Sequence, residues 1–193
     1  MQFRLLGWPE DSPRLDLDHE RFAYAGNYDT GRTGIAVVLA DDHNGPDGPE
    51  WSPPERAVLA AVSFDEDRAA DGAIRIRYVS VRTDQRGTGI GPKLLAFVVE
   101  RVLDRGYDRV RIGVNNPIAY QAAYRAGFAF TGEESGMGEV VLETPPPDAT
   151  AERYREGLDR FAGRDLPSAQ QSVLDRNRNA EPPASVGSAT RER

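Results

Sequence analysis

The chain has 193 residues, 39% of them apolar, enough for one ordinary globular core with extensions. A formal charge of −7 argues against a nucleic-acid or anionic-membrane surface, and the absence of cysteine excludes disulfides, a thiolate nucleophile and cysteine-ligated zinc. No apolar run is long enough to cross a bilayer and Met1-Gln-Phe-Arg lacks the apolar stretch of a signal peptide, so the expectation is a cytoplasmic protein with no membrane contact.

Short strands are predicted over Phe3 to Trp8 and Arg21 to Tyr28, the second on the alternation of Phe22 and Tyr24. Gly34 to Ala40 (GIAVVLA) reads as a buried strand, and Asp41 to Pro54 as a loop too polar and too broken by Gly and Pro to pack. Ala57 to Phe64 is a strand by its length and flanking loops. Ala73 to Val81 (AIRIRYVSV) alternates, which sets Ile74, Ile76, Tyr78 and Ser80 on one face and Arg75, Arg77, Val79 and Val81 on the other.

A glycine-rich turn follows, Arg86 to Gly91 (RGTGIG), and opens into a helix with Pro92 in its first turn and Leu94, Leu95, Val98, Val99 and Val102 at helical spacing, ending near Gly106. Arg109 to Val114 is a strand; Asn116-Pro117 starts a short helix that Gly127 stops; Phe128 to Thr131 and Glu139 to Glu143 are strands. The alternation of strands and helices predicts an α/β or α+β sheet with helices packed on it. Residues 1–144 read as one domain. Residues 145–175 read as a helical extension whose Tyr154, Leu158 and Phe161 form a docking face, with a weaker helix over Ser168 to Asp175, and 176–193 as a disordered tail.

The glycine turn carries the chemistry. Glycines at every second position let several N–H groups and the positive helix end converge on one point, which suits a phosphate or pyrophosphate. A Rossmann fingerprint would need glycine where Pro92 stands, and a P-loop would need a hydroxyl after Lys93; both fail on spacing.

The pattern Arg86-x-x-Gly89-x-Gly91, preceded by Val79-x-Val81, resembles the coenzyme A signature of the GNAT superfamily of N-acetyltransferases. A second segment, NNPIAYQAAYRAGF, is similar to the superfamily's N-x-x-A…Y…G-F stretch at Asn116, Ala119, Tyr124, Gly127 and Phe128. The resemblance covers about Ala57 to Glu143, and the core looks like actinobacterial or haloarchaeal members. Lys93 is the only lysine, a bias that a GC-rich genome or a high-salt surface would each give in a prokaryote.

The resemblance implies a mixed, mostly antiparallel sheet with flanking helices, splayed between the Ile74–Val81 and Arg109–Val114 strands. It implies acetyl-CoA as donor and a small-molecule or protein amine as acceptor, with dimerisation common and no metal. The pantetheine arm would pair with Val79 and Val81, and the pyrophosphate would sit on Arg86, Gly87, Thr88, Gly89, Ile90 and Gly91, with Asn116 counted among the cofactor-binding positions. Tyr124 would protonate the leaving thiolate or else be a core aromatic, because it lies three residues before Gly127 where the superfamily has four, with Ala123 at the usual place. The glutamate often found on the strand before the glycine turn is missing, since that strand offers Arg75, Arg77 and Tyr78; Glu133 is the weak candidate base, with Glu134 beside it. His19 and His43 lack partners at metal-ligand spacing. Residues Pro9 to Gly34 depart from the two helices the superfamily places there. The alternative to an enzyme is a non-catalytic acyl-CoA-binding or regulatory module.

Overall fold

In the computed structural model, β1 (Gln2–Gly7), β2 (Gly34–Leu39), β3 (Val58–Glu66), β4 (Ala73–Val81), β5 (Arg109–Val114), β6 (Ala129–Glu134) and β7 (Val140–Thr144) form one sheet in the order β1-β2-β3-β4-β5-β7-β6. The structure describes residues 1–43, 45–146 and 148–187; Asn44 of the predicted loop, Pro147, and 188–193 of the predicted tail lie outside the described residues. All neighbouring strands are antiparallel except β4 and β5, which are parallel and joined by helix α1 (Ile90–Asp104). Helices α2 (Pro117–Arg125), α3 (Ala151–Asp159) and α4 (Ser168–Asn177) complete the set.

Each helix end follows from its local sequence. Gly89 caps α1 at φ +82° and Gly106, at φ +97°, closes its other end; both are left-handed positions that favour glycine. The Asn116 side chain accepts a bond from the Ala119 N–H at 2.9 Å, Pro117 fills the first helical position, and Gly127 ends α2. There the N–H groups of Gly127 and Phe128 bond to the carbonyls of Tyr124 and Ala123, a Schellman closure.

Two apolar clusters lie on opposite faces of the sheet. On one, Ala36, Val38, Ala60, Val62, Ile74, Ile76, Val110 and Ile112 pack under residues of all four helices, including Val98, Tyr120, Leu158 and Leu174. On the other, Ile35, Val37, Leu39 and Ala61 are covered by Leu15, Leu17, Phe22, Ala25 and Tyr28 from the connection between β1 and β2.

That connection corrects one predicted strand. Arg21 to Tyr28 is not extended: Asp18 accepts bonds from the Glu20, Arg21 and Phe22 N–H groups, Tyr24 has φ +61°, and Ala25–Tyr28 is a short 3-10 turn. The alternation of Phe22 and Tyr24 is therefore a turn geometry that buries Phe22 and leaves Tyr24 exposed. No α-helix spans 8–33.

A second correction concerns β4. Ile76 pairs with Phe64 but Tyr78 pairs with Ser63, so Arg77 is the extra residue of a β-bulge. The bulge shifts the side-chain phase by one. Val79 and Val81 join Ile74 and Ile76 on the helical face, while Tyr78 and Ser80 turn to the opposite face with Arg75. Uniform alternation could not predict this.

The C-terminal segment is built into the core. Tyr154, Leu158 and Phe161 of α3 and its following turn are fully buried against Tyr120 and Phe130. The expected disorder from Arg176 onward does not describe 176–187: α4 runs to Asn177, Glu181 pairs with Arg155 at 2.7 Å, and the Val186 N–H bonds the Arg125 carbonyl at 2.6 Å.

Candidate functional site

The sheet forks. Strands β4 and β5 pair only from Ala73↔Arg109 to Ile76↔Ile112; beyond, β4 stays paired to β3 and β5 to β7, and the gap widens between them. The bulge at Arg77 marks the branch point. On the β3 side of the arm, the Arg82 N–H bonds the Leu59 carbonyl at 2.9 Å. In an antiparallel ladder that pattern repeats every second residue, so Tyr78 and Ser80 use their backbone groups on β3. Val79 and Val81 consequently direct their N–H and C=O groups toward the gap.

The open arm ends at the glycine turn. A 3-10 turn (Thr83–Gln85) is pinned by the Arg82 guanidinium, which holds the Asp84 carboxylate at 2.6 Å and the carbonyls of Arg56 and Val58. The Arg82 hydrogen bonds depress the pKa of Asp84 to about 2. Gly87 (φ +80°) and Gly89 (φ +82°) then reverse the chain into α1, with Ile90 anchored in the core. A Cβ at Gly87 or Gly89 would meet nothing within 4 Å, so both glycines border open space. At Gly91 a Cβ would touch Val81 Cγ2 at 3.4 Å. The first turn of α1 has no side-chain cap and no acidic residue, so its leading N–H groups face that space without a protein acceptor from a capping side chain. Arg86 is exposed beside them, its Nε 3.4 Å from the Val81 carbonyl, while Thr88 donates to the Gln85 carbonyl at 2.7 Å.

These positions are contiguous: Val79, Val81, Arg86, Gly87, Thr88, Gly89, Ile90 and Gly91 line one arm of the fork and its end. Asn116 stands at the start of α2, just past the tip of β5, where its carboxamide caps the helix and bonds Asn115. The two proposed catalytic groups lie apart from this arm, Tyr124 in the core and Glu133 on the rim of a cavity that reaches Arg75 and Gly113 at the branch point. Tyr124 is 5% exposed, its ring 4.9 Å from both Tyr120 and Tyr154, and its hydroxyl accepts the Phe130 N–H of β6, two strands beyond β5. Burial raises its pKa. The regular hydrogen bonds at the end of α2, such as Ala126 N–H to Ala122 C=O, leave no shortened turn that would rotate it toward the fork. Tyr124 thus packs as an aromatic among Tyr120, Tyr154 and Phe130.

Glu133 lies on β6, exposed, paired with Arg111 at 2.6 Å; Arg111 also meets Asp67 at 3.5 Å and Glu143 at 3.4 Å. Glu133, Arg111 and Asp67 rim a cavity of about 260 Å³ on the face opposite the helices. Glu134 is turned to Arg160 and Arg164 of the C-terminal segment. Composition and spacing gave no hint of another carboxylate, Glu139. It crosses β5 at Gly113 and bonds Arg75 of β4 at 3.1 Å. A glycine inside a strand, followed by a hairpin carrying acidic residues, is the signal that could have found it. Among the described residues no group of three or more His, Cys, Asp or Glu is placed to hold a metal, and no helix is long and apolar enough to cross a membrane.

The model of the Acetyltransferase (GNAT) family matches residues 7–128. The chain belongs to this family. Curated protein sequences give no match to this acetyltransferase-family chain. Among solved structures it is similar to an N-acetyltransferase from Staphylococcus aureus, at 18% identity and a TM-score of 0.44 over 57% of this chain and 66% of that one. It is also similar to a Bacillus subtilis acetyltransferase in complex with CoA (15% identity, TM-score 0.44, covering 59% and 77%). A third is the PaiA N-acetyltransferase from Thermoplasma acidophilum in complex with coenzyme A (14% identity, TM-score 0.42, covering 56% and 58%).

Proposed function

We propose that this GNAT-family protein takes an acetyl group from acetyl-CoA and transfers it to the nitrogen of an amine by direct attack. The observation that carries the reading is the fork itself: the backbone groups of Val79 and Val81 lead along an unpaired edge to an uncapped helix N-terminus behind a glycine turn. An extended amide-bearing arm would add to β4 as a strand does. A pyrophosphate at its end would meet the N–H groups from Gly87 to Gly91 and the Arg86 guanidinium. The thioester would then lie near Val79, whose N–H would stabilise the oxyanion of the tetrahedral intermediate.

Titration calorimetry with coenzyme A tests the donor half. Wild type is expected to bind. Gly89→Val would force a β-branched side chain to φ +82°, a strain of more than about 1–2 kcal/mol, and put its methyls where the phosphates would lie; affinity should fall at least about tenfold. A folded Gly89→Val protein that binds coenzyme A like wild type would sink the reading. With Tyr124 in the core, the thiolate takes its proton from solvent or from the attacking nitrogen through water. The burial of Tyr124 also favours the second reading, a coenzyme-A-binding module without chemistry. Thiol release from acetyl-CoA across a panel of amines separates the two.

A further inference from the structure

The second face of the sheet, where the fork opens away from the helices, carries a carboxylate at the branch point. Glu139 starts opposite the tip of β5, in the turn before β7, and its side chain runs back across β5 instead of outward. It can do so only because residue 113 is glycine: a Cβ there would lie 2.7 Å from Glu139 Oε2 and 3.0 Å from its Cδ. Gly113 is the first β5 residue beyond the last pair with β4, so the carboxylate rests where the two strands part. Oε2 is held by Arg75 Nη2 at 3.1 Å and by the Ser135 hydroxyl at 3.2 Å, and the described residues give Oε1 no bond. Across the fork, on the same face, the first residue past the bulge is Tyr78. Its ring lies 5.4 Å from that of Tyr24, which is 55% exposed and held at φ +61°, a left-handed conformation that a tyrosine rarely adopts. The Ser80 hydroxyl ties this turn to β4 through the Ala23 carbonyl. One lip of the fork thus presents a carboxylate, paired through Oε2 with Arg75, and the other two aromatic rings, both of them groups that attract an ammonium.

We propose that Glu139 takes the proton from the acceptor amine, which binds as its ammonium between Glu139 and the Tyr24–Tyr78 lip. The proposal rests on the acetyl-CoA reading above. The ammonium gives one proton to the Glu139 carboxylate. The freed nitrogen lone pair forms the N–C bond at the thioester carbonyl, whose π electrons move to oxygen. Their return breaks the C–S bond, and coenzyme A leaves as thiolate. A second proton passes from nitrogen to the thiolate through water, and the Glu139 proton goes to solvent, leaving amide, thiol and one released proton.

Thiol release from acetyl-CoA with phenethylamine, butylamine and spermidine as probes, from pH 6 to 10, tests the assignment. Glu139→Gln preserves size and can still bond Ser135. It should lose roughly 10²–10⁴-fold in kcat/KM at neutral pH, the range of a positioned general base. Its rate should also climb tenfold per pH unit where wild type is flat, because only amine already free in solution reacts; a purely structural defect would lower the rate without changing the slope. Tyr24→Ala should raise KM for phenethylamine about tenfold with a smaller change in kcat. Coenzyme A affinity should be equal in all three proteins. Wild-type pH dependence in Glu139→Gln, or no turnover of any probe by wild type that binds coenzyme A, overturns this proposal alone. Failure of wild type to bind coenzyme A overturns the donor reading and this proposal with it.

Discussion

Gly157, in the middle of α3, decides whether the C-terminal segment can seat. A Cβ built there lands on the Tyr120 hydroxyl and within 2.8 Å of Tyr120 Cζ and 2.9 Å of Phe130 Cγ. Both rings are fully buried, so neither can swing aside. Two effects oppose each other in Gly157→Ala. Alanine is the better helix former by about 1 kcal/mol. Against it stand overpacking, about 1–3 kcal/mol, and displacement of the Tyr120 hydroxyl from the Tyr154 carbonyl it bonds at 2.9 Å, about 1–3 kcal/mol more. The net is destabilisation of about 1–5 kcal/mol, which for a chain of this size lowers Tm by roughly 2–20 °C. Thermal unfolding followed by circular dichroism measures it. Adding Tyr120→Phe removes the most crowded atom, so the double variant should recover part of the loss. A Tm for Gly157→Ala equal to or above wild type would refute the packing account of α3.

Two further outcomes separate structural roles from chemical ones. Tyr124→Phe should leave thiol release within about threefold of wild type while lowering stability by about 1–2 kcal/mol, since the acceptor for the buried Phe130 N–H and the hydroxyl contact with Tyr120 are lost; a loss of activity of a hundredfold or more at unchanged Tm would bring the tyrosine into the reaction. Asn116→Ala should cost about 1 kcal/mol as a lost cap and Asn116→Asp nearly nothing, read as Tm; if Asn116→Asp instead abolished coenzyme A binding at wild-type Tm, the carboxamide would be a ligand group.

Much of the fold was legible because its signals are local. The buried run of β2, the proline and glycine punctuation of α1 and α2, and the Asn116 cap each require only neighbouring residues, and the structure matches them to within a residue or two. The fork itself came from resemblance, since no periodicity announces where two parallel strands stop pairing. What failed depended on distant partners. Phe22 and Tyr24 alternate, yet no strand edge was there for them, and the apolar surface of β2 and β3 drew Phe22, Ala25 and Tyr28 into a cover instead. The phase slip at Arg77 is set by the ladder to β3, which β4 alone does not encode. Between the two roles left open for Tyr124 the sequence could not choose, because its surroundings are supplied by α3, some thirty residues on. Glu139 was invisible for the same reason: its carboxylate is placed by the missing side chain of Gly113 on another strand.

The fork has a thermodynamic meaning beyond ligand contacts. Sheet edges normally lie at the periphery, but here one runs through the interior, and the sheet's two halves are tied by four backbone pairs from Ala73↔Arg109 to Ile76↔Ile112. An arm that fills the gap acts as a missing strand and sutures those halves. Donor affinity and conformational stability then become linked quantities: saturation at a hundred times Kd adds about 2.7 kcal/mol to the folded state. An abundant donor would thereby add to the stability of the very sheet that holds it.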